Sequence, residues 1–374
     1  MRAGAEEVAM ELARGLDPQR FRSYLVCPRE LLDAFGRDWM RENTSALALT
    51  LNNAWEWPAA RKFVSFLRAE RIDVVHAHMI RAATAAVPLA RLAGVPVVVH
   101  TCHGREAWRK KWLKRQYWID RRIADCSNAT IAVSESTAAY LVEEKKFDPA
   151  SVHVIRNGRH LNGFRPSVAR QQHLRAEFGF APDDLVVGVI ARLEEQKGHR
   201  HLLEALPAIR SRVPGIRLLF VGDGSLRADL ETRVRAQGYD ENVTFTGYRS
   251  DSLELMEMCD VLALPSMFEG MPLVPIEAAL LGKAVVATAV DGTPEVVKHG
   301  ITGTLVPAAQ PAALASALVE LLLDPQLRRS FGENAQARAR ELFSLARQVE
   351  ETGALYENLL ERARHNGRGG VARR

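Results

Sequence analysis

Apolar runs of strand length alternate with longer segments of helical period along nearly the whole chain. This is the pattern of repeated strand-helix-strand units built around parallel sheets. In the first half the runs predict strands at Tyr24–Cys27, Val74–Ala77, Val97–Thr101, Thr130–Val133 and Val152–Ile155. The rhythm repeats at Leu185–Ile190, Arg217–Val221, Val243–Thr246, Val261–Leu264, Ala284–Thr288 and Thr304–Val306. The second set is read as a second sheet, not an extension of the first.

Between the halves, Arg156–Ser167 (RNGRHLNGFRPS) carries the glycines, asparagines and proline of a linker. The expected division is therefore 1–158, then 159–344, with a helix of about 345–364 following. Beyond Arg364 the composition changes to HNGRGGVARR, and 365–374 is expected to be a flexible basic tail. The opening RAGAEEVAMELARGL reads as a glycine turn and an amphipathic helix, with only Met1 and Arg2 before the turn. In a doubly wound sheet a strand precedes such a helix and lies centrally. The first strand of the N-terminal domain is missing from this pattern, and a strand encoded upstream of Met1 is the expectation.

The 374 residues exceed one ordinary domain, and 47% hydrophobic with 25% charged residues excludes wholesale disorder. Fifty basic against 45 acidic residues leave a net charge of +5, a mild excess whose location matters more than its size. Four cysteines, Cys27, Cys102, Cys126 and Cys259, have no disulfide or zinc-knuckle spacing. A cytoplasmic protein fits best. No apolar run approaches the roughly 18 residues that a transmembrane helix needs.

In open α/β sheets, ligands gather at the loops leaving the carboxyl ends of the strands, where helix N-termini and free amides converge. ARLEEQKG follows Leu185–Ile190 and puts Arg192 and Lys197 around one turn, two cations suited to a diphosphate. Either alone reads as a solvated charge. GDGS, with Gly222 and Gly224, is a tight turn that serves a flat ligand or simply the turn itself. PSMFEGMPLVPIEAALLGK after Val261–Leu264 is the most informative stretch. Glu269 lies in its loop, a helix begins near Leu273, and Glu277 follows one turn later. Amides from Gly270 through Met271 and Pro272 to Leu273 are expected to face a phosphate, and the two carboxylates to accept sugar hydroxyls. AVDGTPEVV, with Glu295, reads as mainly architectural.

In the first half His103 and Gly104 follow a strand end, as a ligand contact would. His76 and His78 share a strand face; a metal would need a third ligand, so packing and hydrogen bonding are favoured. Arg105–Arg122 interleaves Trp108, Trp112, Tyr117 and Trp118 with Arg109, Lys110, Lys111, Lys114 and Arg115. Such a helix either lies on an anionic membrane surface or buries its tryptophans and leaves its cations in water. Nucleic acid is not expected, since no basic stripe continues elsewhere.

Together GAE near the start, HG at His103, NG at Asn157, ARLEEQKG, GDG, FTGY and FEGMPLVPIE resemble glycosyltransferase family 4, retaining enzymes of the GT-B fold. The resemblance implies two Rossmann-like parallel-sheet α/β domains facing a cleft, with the last helix crossing back onto the first. It implies a nucleotide-diphosphate sugar donor held mainly by the C-terminal domain, a glycan or lipid-linked acceptor held mainly by the N-terminal one, and no cofactor or metal. Carried over, Arg192 and Lys197 would neutralise the diphosphate, Glu269 would bind donor-sugar hydroxyls and Glu277 the ribose. His103 would contact the donor sugar, Gly4 would bring the first loop to the phosphates, and Gly222, Tyr248 and Gly270–Leu273 would line the donor. The chain departs from the family pattern at Arg159 and His160, in place of an aliphatic residue and an aspartate, and at Asp291, in place of a glycine. The expected function is hexosyl transfer in lipopolysaccharide or other polysaccharide biosynthesis, cytoplasmic or peripheral on the inner membrane face. A nucleotide-sugar epimerase and a non-catalytic nucleotide-sugar binder are the alternatives.

Overall fold

The computed structural model describes residues 4–36, 40, 43–51, 56–106, 117–161 and 163–371. They form two compact units, one of residues up to Gly158 together with Leu345 onward, the other Arg159–Ser344.

In the first unit β1 (Ser23–Cys27) pairs in parallel with β2 (Thr44–Ala48), while β3 (Val74–His78), β4 (Val97–Cys102), β5 (Ala129–Ala132) and β6 (Val152–Val154) form a separate parallel sheet in that order. Among the described residues no strand joins β1 to β3, so each is an edge. Val97, Val98 and Val99 are all 0% exposed, because both faces of β4 are covered. Val98 packs with Phe63, Leu67 and Val87 from the helices Trp57–Ala69 and Ile80–Ala93. Val97 and Val99 pack with Tyr356 and Leu359 from the helix Leu345–Val371.

Three expectations for this unit need correction. β2 was not expected: TSALA has little β-branched character, and four of its five residues are partly buried or exposed in alternation, as on an edge. Gly4 does not form a turn; it is the first residue of the helix Gly4–Gly15. The last helix runs to Val371 instead of ending at Arg364, since each added residue gains a backbone bond once a helix is nucleated. Of Arg105–Arg122, residues 107–116 lie outside the described residues; Tyr117–Asp125 is a helix with Trp118 exposed.

The second unit is one six-stranded parallel sheet, β7 (Leu185–Ile190), β8 (Ile216–Val221), β9 (Val243–Gly247), β10 (Val261–Leu264), β11 (Val285–Thr288) and β12 (Gly303–Val306), in the order β12-β11-β10-β7-β8-β9. One face packs Val187, Leu218 and Val286 against the helices His199–Arg212 and Pro311–Leu323. The other packs Val186, Leu219 and Leu262 against Leu174 and Leu255, from the helices Val168–Glu177 and Ser252–Met258. Crossovers run outward from β7 to β8 and β9, and outward from β10 to β11 and β12. The order therefore reverses between β7 and β10, where the loops diverge and leave a crevice.

Candidate active site

The loops after β7 and β10 flank that reversal, and backbone geometry ties them together. The Met267 N–H donates to Gln196 O at 2.7 Å, and Gln196 Nε2 donates to Phe268 O at 2.9 Å. Gly198, left-handed at φ 67°, caps the helix His199–Arg212; a Cβ there would sit 2.0 Å from the Pro265 carbonyl oxygen. Glycine is required because two backbones touch. This close approach brings Lys197 to Glu269, with Nζ 2.6 Å from Oε1. Ser266 Oγ donates to the same oxygen at 2.7 Å, and Asp291 Oδ2 accepts the Glu269 N–H at 2.8 Å. Glu269 is thus buried, held at its backbone and at one carboxylate oxygen.

Arg192 is exposed on the same β7 loop. Neighbouring Glu194 is held below its ordinary carboxylate range, first by the Ser225 N–H, then by the Ser225 hydroxyl and the Arg192 charge. The helix Leu273–Leu280 starts after Pro272 with no side chain capping its first amides. Pro272 itself supplies no N–H, so the expected run of amides from Gly270 to Leu273 is interrupted there. Met271 is buried. Glu277, on the fifth position of this helix, pairs with Arg159, whose Nε lies 2.7 Å from Oε1.

Gly222 and Gly224 have a structural reason to be glycine. A Cβ on Gly222 would lie 2.0 Å from Ala191 O, and on Gly224 2.5 Å from Leu193 O, because the β8 loop packs backbone to backbone on the β7 loop. Tyr248 stands 56% exposed at the end of β9, beyond β8 from this crevice.

In the first unit His103 follows β4, and its Nε2 lies 3.1 Å from His78 Nδ1. The His78 ring lies tilted against that of His76, ring centroids 4.3 Å apart, and His76 bonds Thr101 Oγ1 and Tyr356 Oη. Burial pushes His103 down to about 4, and burial followed by the His103 and His100 charges pushes His76 down to about 3. Among the described residues no group of three His, Cys, Asp or Glu side chains is placed to hold a metal ion. In the same unit Lys145 is buried between Glu106 and Asp120, at 2.9 and 2.8 Å.

Ser266 and Gln196 were not singled out in the sequence; Arg159 stood out there only as a departure from the family pattern, and His78 only as the neighbour of His76 on a strand face. Ser266 sits inside the PSMFEG loop, and its place beside Glu269 was the available signal; Gln196 and Arg159 are defined only by partners 72 and 118 positions away.

Comparison with known proteins bears on the family and the fold. The family model described as Glycosyltransferase Family 4 matches residues 2–162, and that described as Glycosyl transferases group 1 matches 170–338. An alpha-maltose-1-phosphate synthase of Mycobacterium tuberculosis is 32% identical over 78% of this chain and 80% of its own length. The UDP-Gal:alpha-D-GlcNAc-diphosphoundecaprenol alpha-1,3-galactosyltransferase of Escherichia coli is 25% identical, covering 96% of this chain and 94% of that one. In fold, Anabaena Alr3699/HepE, solved in complex with UDP-glucose, superposes with a TM-score of 0.83 at 24% identity, over 95% of this chain and 96% of that chain. Among the described residues no helix is long and apolar enough to cross a membrane. With two matched family models, a synthase relative above 30% identity and a shared architecture, the chain belongs to glycosyltransferase family 4, as a hexosyl-type glycosyltransferase of the GT-B fold.

Proposed function

We propose that this enzyme moves a hexose, with retention at the anomeric carbon, from a nucleotide-diphosphate sugar to a lipid-linked or cell-surface polysaccharide precursor. The observation that carries the reading is the pairing of Lys197 with Glu269 at the strand-order reversal, a cation and an acid held where a diphosphate sugar would need both. The diphosphoundecaprenol-linked acceptor in the name of the Escherichia coli relative supports the acceptor class.

In this reading Arg192 and Lys197 take the negative charge that grows on the diphosphate as the glycosidic bond breaks. The amides of Gly270, Met271 and Leu273 assist from the helix end. Glu269 accepts donor-sugar hydroxyls, Glu277 accepts those of the ribose, and His103 contacts the donor sugar. The acceptor oxygen attacks from the face the phosphate leaves, and its proton passes to a departing phosphate oxygen. No protein nucleophile is needed, and the two glutamates are not a glycosidase pair. No step in this scheme requires a metal. Peripheral attachment through Arg105–Arg122 belongs to the same proposal, and sedimentation with anionic liposomes at low salt tests it.

A panel of nucleotide sugars incubated with membrane extract, read as nucleoside-diphosphate release and as product anomer by NMR, tests the whole. Retained configuration and acceptor-dependent release are expected. Consumption of donor without acceptor would make the protein an epimerase, and binding without turnover a non-catalytic binder. Full activity in both Arg192→Ala and Glu269→Ala would overturn the assigned chemistry.

A further inference from the structure

We infer that Arg159 is a positioning residue that sets the enzyme's preference for a ribonucleotide donor by holding Glu277. The inference rests on the reading of Glu277 as the ribose acceptor. Arg159 is where this chain departs from its family's aliphatic residue, and the structure gives the departure a partner. Its N–H donates to Phe343 O at 2.9 Å and its backbone bridges Ser344, which anchors the root of the side chain. The guanidinium then runs inward to 13% exposure, and both Nε and Nη2 reach the same oxygen of Glu277, Oε1; the glutamate side chain is 10% exposed.

Two donors on one oxygen do two things. They set positive charge against a largely desolvated carboxylate, which favours the charged form that accepts best from a vicinal diol. They also fix the plane of the carboxylate, and with it the direction of the second oxygen. An aliphatic residue at 159 would do neither. The helix Leu273–Leu280 offers no substitute from its own first turn, which carries no acidic or basic side chain.

The test compares UDP and GDP with their 2′,3′-dideoxy forms by calorimetry, on wild type, Arg159→Leu, Arg159→Lys and Glu277→Gln. Wild type is expected to favour the ribose form by about tenfold or more, the cost of leaving a polar site unpaired. In Arg159→Leu that ratio should collapse to about one to threefold, while dideoxy affinity, which does not use Glu277, stays within about twofold. Arg159→Lys, with charge but no planar fork, should fall between. If Arg159→Leu does not fold, the Arg159→Leu/Glu277→Gln pair removes the stranded charge and should match Glu277→Gln in its ratio. A full ribose preference in Arg159→Leu, or in Arg159→Lys should Arg159→Leu not fold, would overturn the role of Arg159, and a full preference in the double variant would remove Glu277 from the ribose. A wild type indifferent to the diol would instead remove Glu277 from the ribose and take this inference with it, and loss of preference only in Glu277→Gln would leave the ribose reading standing without Arg159.

Discussion

Lys197 Nζ meets Glu269 Oε1 at 2.6 Å across the reversal of strand order between β7 and β10, although the two residues are 72 positions apart in the chain. The carboxylate is 6% exposed and shares that oxygen with Ser266. Replacing either member alone leaves the other in a desolvated place. Lys197→Met and Glu269→Gln are each expected to lower turnover by about 10²- to 10³-fold, the usual cost of removing one preorganised electrostatic contact. Because they act as a unit, the double variant should lose little more than the worse single. Steady-state nucleoside-diphosphate release on all three variants checks this, and additive losses would show that the pair acts separately.

Gly222→Ala should damage the fold of the second unit instead of donor binding alone. The added methyl would lie 2.0 Å from Ala191 O, and the backbone φ of 140° disfavours any L side chain. A loss of about 2 kcal/mol or more in urea unfolding is expected. Ordinary stability with selectively weakened donor binding would mean that the β8 loop yields without cost.

Acid should weaken both units. Burial lowers His76 to about 3 and His100, His103 and His199 to about 4, in each case the largest cause. The folded pKa values lie below the unfolded value of about 6.5, so between these limits the unfolded chain binds more protons. Stability is fully present above about pH 6.5 and is lost as pH falls, by up to about 1.4 kcal/mol per pH unit for each histidine. Urea midpoints at a series of pH values from 7.5 to about 5 measure the slope. His199, 1% exposed with neither ring nitrogen hydrogen-bonded and its ring edge-on to Phe220, gives the local check. His199→Leu should shallow the slope and raise stability at pH 5, since it removes two unsatisfied polar atoms.

Lys145→Met should be among the most destabilising changes in the first unit. The ammonium is 1% exposed and is the shared partner of Glu106 and Asp120, with the Tyr117 and Tyr140 rings 5.3 and 5.4 Å away. Stranding acids in so dry a place costs about 3–5 kcal/mol. Thermal unfolding of the variant, beside Lys145→Arg as the charged control, distinguishes this from a packing defect, which both would show.

Strand rhythm was legible wherever both faces of a strand are covered, as in VVVHT of β4, because burial on two sides demands a continuous apolar run. It failed at β2, where an edge strand with exposed alternate positions needs no such run. Lys197 and Glu269 stood out as charges at strand ends. Ser266 did not, and Asp291 was noted only as a departure from the family pattern: small polar residues in loops look alike until a partner is seen. The glycines of GDG were read with two explanations open, and only the contact with residues 191–193 separates them.

What the linear order of residues determined alone was local: which segments become strands, where chains turn, and which chemical groups stand at strand ends. These follow from side-chain period and backbone freedom within a few residues. Which oxygen of which glutamate meets which cation was decided in three dimensions. Parallel crossovers bring distant loops to one edge of a sheet, and hydrogen-bond geometry over a few ångströms then pairs Glu269 with Lys197 and Glu277 with Arg159.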